Sequence, residues 1–401
     1  MSLCYLSYRQ LSSQPLTSIL PPRPTSEAQL TRAIRQYDKA SWPNLQILSY
    51  RQRALKDLTE LLNQCSIGRC KLKRFGSTVN GFGTASADLD CMIEIQDVQP
   101  GFVDQDTGAI KSRNVLRKVA SVISKSDKFS KPQRIITKRV CHPVIKTIHL
   151  EHKLDLDITV CNGDQSHLLN SNLLLKYAKS DRRVRSVGRF LGLLMKSTYL
   201  GGNFQGGLSS YAYKILLINY LVNVVKVSDL VRMDGMRTIS DNLDQPKDTA
   251  DYDVYKETLF RHPISEDSLL VNDSNSELSE GRLLLGFLLY YALKFDYFND
   301  LVQINNPNSV KKVEQSWNFV IEDPIVELDL GRYLSTPNHL AVLRYYFLFL
   351  YQSLGHDERG SVEIVDYYNN LEYMKCGSRR SSWFYSEWVA EGIHYFFFVN
   401  H

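Results

Sequence analysis

The spacing of apolar positions changes twice along the 401-residue chain. Between residues 27 and 65 it is helical: Leu30, Ile34 and Tyr37 share one face, and a second run covers 45–62. Between 66 and 95 the period shortens to that of strands. A strand ends at Phe75, a glycine-bearing turn follows, and a second strand covers 89–95. Helical spacing returns at 112–125, with Val115, Val119, Val122 and Ile123 on one side. Three more strands are expected at 134–140, 144–150 and 154–160. Beyond about 168 nearly everything reads as helix, at 168–177, 184–199, 209–225, 282–291 and 341–354. The pattern predicts an α+β chain: a small mixed sheet with helices on one side, then a mainly helical half.

The length is enough for two domains. Residues 1–26, with three prolines at 21, 22 and 24, read as a flexible N-terminal extension mildly like an organelle transit peptide. The helices of 27–65 are expected to pack on the central helical domain. The sheet domain then spans 66–165 and the helical domain 166–355, interrupted by a polar insertion at 226–280. Residues 356–401 form an aromatic-rich C-terminal segment, expected to pack on the core rather than stack on bases. Hydrophobic residues make up 43% and charged residues 23%, ordinary for a globular protein. No run of 18 apolar residues occurs, so no membrane contact is expected. Seven scattered cysteines show neither zinc-ribbon nor redox-pair spacing, which suggests reduced thiols. A cytoplasmic setting is expected, with the nucleus or an organelle as alternatives.

Charge changes the picture more. The net charge is +5, but residues 111–139 hold ten basic side chains and one acid, Asp127, a local +9 that leaves the rest near −4. That basic segment, with Lys131, Arg134, Lys138 and Arg139 as its candidate contacts, suits a polyanion such as RNA. The chemistry lies beside it. Gly76-Ser77 follows the first strand, and Asp88-x-Asp90 opens the next, eleven residues after the serine. Alternation along a strand points both aspartates to one face. Two carboxylates that close repel unless a cation such as Mg²⁺ (or Mn²⁺) sits between them. A matching strand carries Asp155 and Asp157, either or both of which could supply a third carboxylate. Three acids from two adjacent strands suit two-metal attack on a phosphate, with Gly76 allowing close backbone approach and Ser77 donating to phosphate oxygens.

Taken together these residues resemble the noncanonical poly(A) polymerases and terminal uridylyltransferases of the polymerase-β-like nucleotidyltransferase superfamily. The likeness covers most of residues 60–335. It runs through Gly76-Ser77, Asp88-x-Asp90, the strand Arg139-Val140-Cys141-His142-Pro143-Val144-Ile145-Lys146, and Leu156-Asp157-Ile158. It continues through Asn170-Ser171-x-Leu173-Leu174, Gly207-Leu208-Ser209-Ser210-Tyr211, the region 284–300, and Ile321-Glu322-Asp323-Pro324. The resemblance implies a nucleotidyltransferase domain at 66–165 and a PAP-associated helical domain at 166–355, with the active site in the cleft between them. It selects Asp157 as the third catalytic and metal-binding acid. It implies ribose contacts by Asn162 and Asn170 and triphosphate contacts by Ser210 and Lys196. Tyr211 would stack on the base, Asp323 would bond its edge, and Arg332 would contact base or phosphate. The implied substrates are an RNA 3′ end and an NTP, ATP or UTP, with an adaptor protein choosing the RNA.

Three departures qualify the likeness. Leu200 stands where relatives carry a second lysine four residues after Lys196. The interval from Asp157 to Asn170 is longer than in relatives, which bears on Asn162. No histidine follows the Glu322-Asp323-Pro324 loop, which favours addition of AMP over UMP. The alternatives are a uridylyltransferase or enzyme of relaxed base choice and, in another class, a catalytically inactive RNA-binding scaffold.

Overall fold

The computed structural model describes residues 21–104, 107, 110–135, 143–163, 165–196, 207–226, 278–297, 299–304, 319–326, 328–334 and 336–356. The expectations for the N-terminal extension, the polar insertion and the aromatic C-terminus lie almost wholly outside them.

Five strands form one sheet: β1 (Arg69–Phe75), β2 (Leu89–Gln96), β3 (Gln133–Ile135), β4 (Val144–His149) and β5 (Leu154–Val160). Their order is β1-β2-β5-β4-β3, and only the β2–β5 pair is parallel. Period-two alternation decides which face is buried. Leu89, Cys91, Ile93 and Ile95 of β2 and Leu156 and Ile158 of β5 point to one side. There they meet α2 (Leu45–Leu62), through Ala54, Leu58 and Leu62, and α3 (Ser112–Ile123), through Val115, Leu116, Val119 and Ile123. Each fully buried leucine or isoleucine contributes roughly 2 kcal/mol. The third expected strand is short, and residues 136–142 are not described.

The second core gathers α1 (Pro24–Ala40), α4 (Ser166–Ser180), α5 (Arg182–Lys196), α6 (Ser210–Asn219), α7 (Glu280–Leu289) and α8 (Pro337–His356). Leu30, Ile34, Phe190, Phe287 and Phe347 lie at its centre. The helices of 27–65 therefore part company. α1 joins the helical core, tied by Arg189 to Asp38 at 2.8 Å and by Arg35 to Glu280 at 2.9 Å. α2 corrects the expectation that both pack there, because its apolar face matches the sheet. The two cores interlock. Phe82, from the loop between β1 and β2, is buried in the helical core, where Gly188 leaves room for its ring. The chain crosses between the cores at residues 41–44 and 161–165.

Among the described residues no helix is long and apolar enough to cross a membrane. The four described cysteines, Cys65, Cys70, Cys91 and Cys161, are free thiols.

Candidate active site

The face of the sheet away from α2 and α3 carries the acids. Asp90 on β2 lies directly opposite Asp157 on β5, in register, and Lys146 on β4 lies opposite Asp157 from the other side. The Lys146 ammonium bonds the Asp157 carboxylate at 2.5 Å. Asp88, just before β2, is exposed, whereas Asp90 is half-buried. Burial first, then the charges of Asp157 and Asp88, push the Asp90 carboxyl up to about 7, against the opposing pull of Lys146 and of the Ser77 backbone N–H. Asp155 shares the Asp157 face but is exposed.

The turn after β1 is shaped to touch these acids. Gly76 has φ +70°, and a Cβ there would overlap the Asp90 carboxylate, so the position needs glycine for both conformation and space. The Gly76 N–H donates to Ser171 Oγ at 2.8 Å, and the Ser171 hydroxyl donates to the His167 carbonyl one turn back in α4. His167 stacks on Phe75 at 5.1 Å. A helix of the second half thus holds the turn of the first.

The helical side of the cleft carries the rest. Ser209 caps α6 by accepting from the Ala212 N–H at 3.1 Å, which leaves Ser210 exposed on the first turn. Lys196 is exposed at the end of α5. Asp323 is buried: its Oδ1 accepts from the Ile325 and Val326 N–H groups, and its Oδ2 accepts from Asn170 Nδ2 at 3.2 Å. The Tyr211 phenol, raised by burial and by the neighbouring Asp323 charge, faces the same carboxylate. Asn170 Oδ1 is buried with no hydrogen-bond partner among the described residues. Arg332 is exposed, bonds the Asp329 carbonyl at 2.7 Å and stacks on Tyr333.

Asn162 stands apart. Its Oδ1 accepts from the Ile110 N–H at 2.9 Å, at the far end of β5. There it helps line a cavity of about 420 Å³ with Met92, Thr159, Lys111, Arg113 and Arg117. Met92 and Thr159 are the next same-face residues after Asp90 and Asp157, so this basic cavity continues the acid face along the sheet. Of the other basic candidates, Lys131 is exposed, the Arg134 side chain is not described, and Lys138 and Arg139 lie outside the described residues. Lys128 is spent on Asp57 of α2, at 2.7 Å.

Lys146 and Ser171 are site residues that sequence reasoning did not single out. Both lie inside motifs of the family pattern, but pairing across strands and a hydrogen bond spanning 95 residues leave no local signal.

A model of the central palm domain of mitochondrial-like poly(A) RNA polymerase matches residues 30–179, and one of the Cid1 family poly A polymerases matches residues 280–327. Terminal uridylyltransferase 7 of Homo sapiens is 28% identical over 66% of this chain, and poly(A) RNA polymerase gld-2 of Caenorhabditis elegans is 27% identical over 59%. The chain spans only 17% and 20% of their lengths. A solved structure of a GLD-2/RNP-8 complex superposes with TM-score 0.61 at 19% identity, covering 84% of this chain and 97% of that one. It shares the fold.

Proposed function

Because this chain is a member of the noncanonical poly(A) polymerase and terminal uridylyltransferase family, we propose that it transfers nucleoside monophosphates from an NTP to the 3′-hydroxyl of an RNA, with AMP favoured. The observation that carries this reading is the abreast pair Asp90–Asp157 beside the Gly76–Ser77 turn. Hard oxygen donors crowded until one carboxyl is pushed up to about 7 suit a divalent cation. Asp88, Asp90 and Asp157 would hold Mg²⁺ or Mn²⁺, which supplies Lewis-acid polarisation of the phosphate and acidifies the attacking hydroxyl.

The protein's own groups set the geometry. Gly76 brings backbone against the phosphates, and Ser77, Ser210 and Lys196 line the same cleft as donors and cation. Tyr211 offers a ring for the base. The unpaired Asn170 Oδ1 suits a ribose hydroxyl, whereas the carboxamide oxygen of Asn162 is committed to Ile110, which leaves the ribose to Asn170. Asp323 acts by holding the recognition loop against Asn170 and Tyr211. The basic cavity at the start of α3 gives the RNA backbone a path along the sheet. AMP is favoured because no histidine follows Asp323-Pro324; the uridylyltransferase relatives support UMP as a second reading. An adaptor protein would choose the RNA.

A primer-extension gel tests this. A labelled single-stranded RNA is incubated with Mg²⁺ and each NTP separately, beside Asp88→Ala. Extension with ATP alone, lost in Asp88→Ala, is the expected result. Extension with UTP would move the reading to uridylyl transfer, and extension surviving in Asp88→Ala would remove the acids from the mechanism.

A further inference from the structure

One buried cation lies outside the machinery just described. Lys214 sits on α6 one turn after Ser210, so the two share a helix face. It is only 6% exposed. Its ammonium lies 5.5 Å from the centre of the Phe82 ring, and a Cβ on Gly192 of α5 would come within 3.1 Å of it. Gly192 is one turn before Lys196 on the same face of α5. The loop carrying Phe82 is the one that presents Ser77, since Gly83 packs on the Ser77 carbonyl. Lys214 is therefore enclosed by the three elements that line the phosphate side of the cleft.

Nothing among the described residues neutralises it. No carboxylate or carbonyl of the described residues bonds the ammonium. The charged groups nearest it are cations, Lys196 and Arg189, and Arg189 is already committed to Asp38 and the Gly81 carbonyl. Burial first, then these two charges, push Lys214 down to about 7. An unpaired buried ammonium is costly, and a ring face offsets only part of that cost. A bound polyanion would offset the rest.

We propose that the Lys214 ammonium is a second cation for the triphosphate of the incoming nucleotide, acting beside Lys196. The inference rests on the nucleotidyl-transfer reading and names a contact within that site. Gly192 keeps the space that the ammonium fills, so phosphate charge is met from α6 as well as from the end of α5.

The test uses the full chain. Lys214→Met keeps the apolar stem and removes the charge; Lys214→Arg keeps the charge. Binding of a non-hydrolysable nucleoside triphosphate and of the matching monophosphate is measured by calorimetry, and KM and kcat by RNA extension. Lys214→Met should weaken triphosphate binding and raise KM about tenfold or more, with monophosphate binding unchanged. Lys214→Arg should recover part of that loss. Gly192→Ala, which favours the helix but crowds the ammonium, should weaken triphosphate binding a few-fold and so serves if Lys214→Met does not fold. Triphosphate affinity within twofold of wild type in Lys214→Met, or equal loss for both ligands, would overturn the inference while leaving the active-site reading intact. A wild-type protein that neither binds triphosphate nor extends RNA would overturn that reading itself.

Discussion

Two clusters of acids lie on opposite faces of the same sheet, and their charges are handled in opposite ways. On the helix-covered face, Asp57 of α2 meets His149 at 3.1 Å, Lys128 at 2.7 Å and Arg53 at 3.6 Å. Burial alone would raise its carboxyl, but hydrogen bonds from Lys128 and His149 win and hold it low. On the open face, Asp90 is pushed up to about 7 by burial and by two neighbouring acids, with Lys146 shared between them. Asp57, His149 and Glu151 are also the trio among the described residues whose ligand atoms gather within 4.8 Å, whereas Asp88, Asp90 and Asp157 do not. Gathered acids are thus no guide to function by themselves. Neutralised charge fits a structural network, and charge left in conflict fits the proposed cation site.

The largest effect should come from the open face. Asp90→Ala should lower RNA extension by about a thousandfold or more, measured by single-nucleotide extension with a circular-dichroism control for folding. Next, Asp57→Ala should lower unfolding free energy by about 3 kcal/mol, because it strands a buried histidine. Urea unfolding would show this, with extension rates retained at a permissive temperature. Activity lost by Asp57→Ala without loss of stability would erase the distinction between the faces.

The pH dependence sharpens it further. A carboxyl raised in the folded state binds its proton more tightly there, so its contribution falls as pH rises from about 4 to 7 in metal-free buffer. Asp90→Asn should remove a slope worth on the order of 4 kcal/mol across that window. Asp57 has the opposite sign: its contribution is full above pH 4 and is lost as pH falls below the usual 3.8. Mg²⁺ should flatten the first slope and leave the second. Smallest, Ser171→Ala frees the Gly76 peptide and should lower kcat/KM by about 5- to 10-fold.

Some of this was legible before any coordinates. The period-two runs at 89–95 and 154–160 put Asp90 and Asp157 on strands with Asp88 at the head of the first, and helix spacing located Leu30, Ile34 and Tyr37. What escaped was carried by distance along the chain. Asp57 and His149 are 92 residues apart, so nothing local showed that Lys128 would be drawn out of the basic segment to serve them. The destination of α2 was hidden for a similar reason. An apolar stripe on a helix says that something will be covered, not whether a sheet or a bundle does the covering. Asn162, already marked by the long interval to Asn170, is carried past the acids by β5, where its amide closes a loop.

The bond from Gly76 to Ser171 also limits how the two halves can move. The turn that would touch phosphate is fastened to α4, and Phe82 from the same loop is locked into the helical core. Both fasteners tie the loop after β1 to the helical half. Opening that displaced this turn would therefore break the Gly76–Ser171 bond and draw the Phe82 ring away from Gly188. The glycine turn beside the acids is thus carried as one piece with the helical half rather than with the sheet alone.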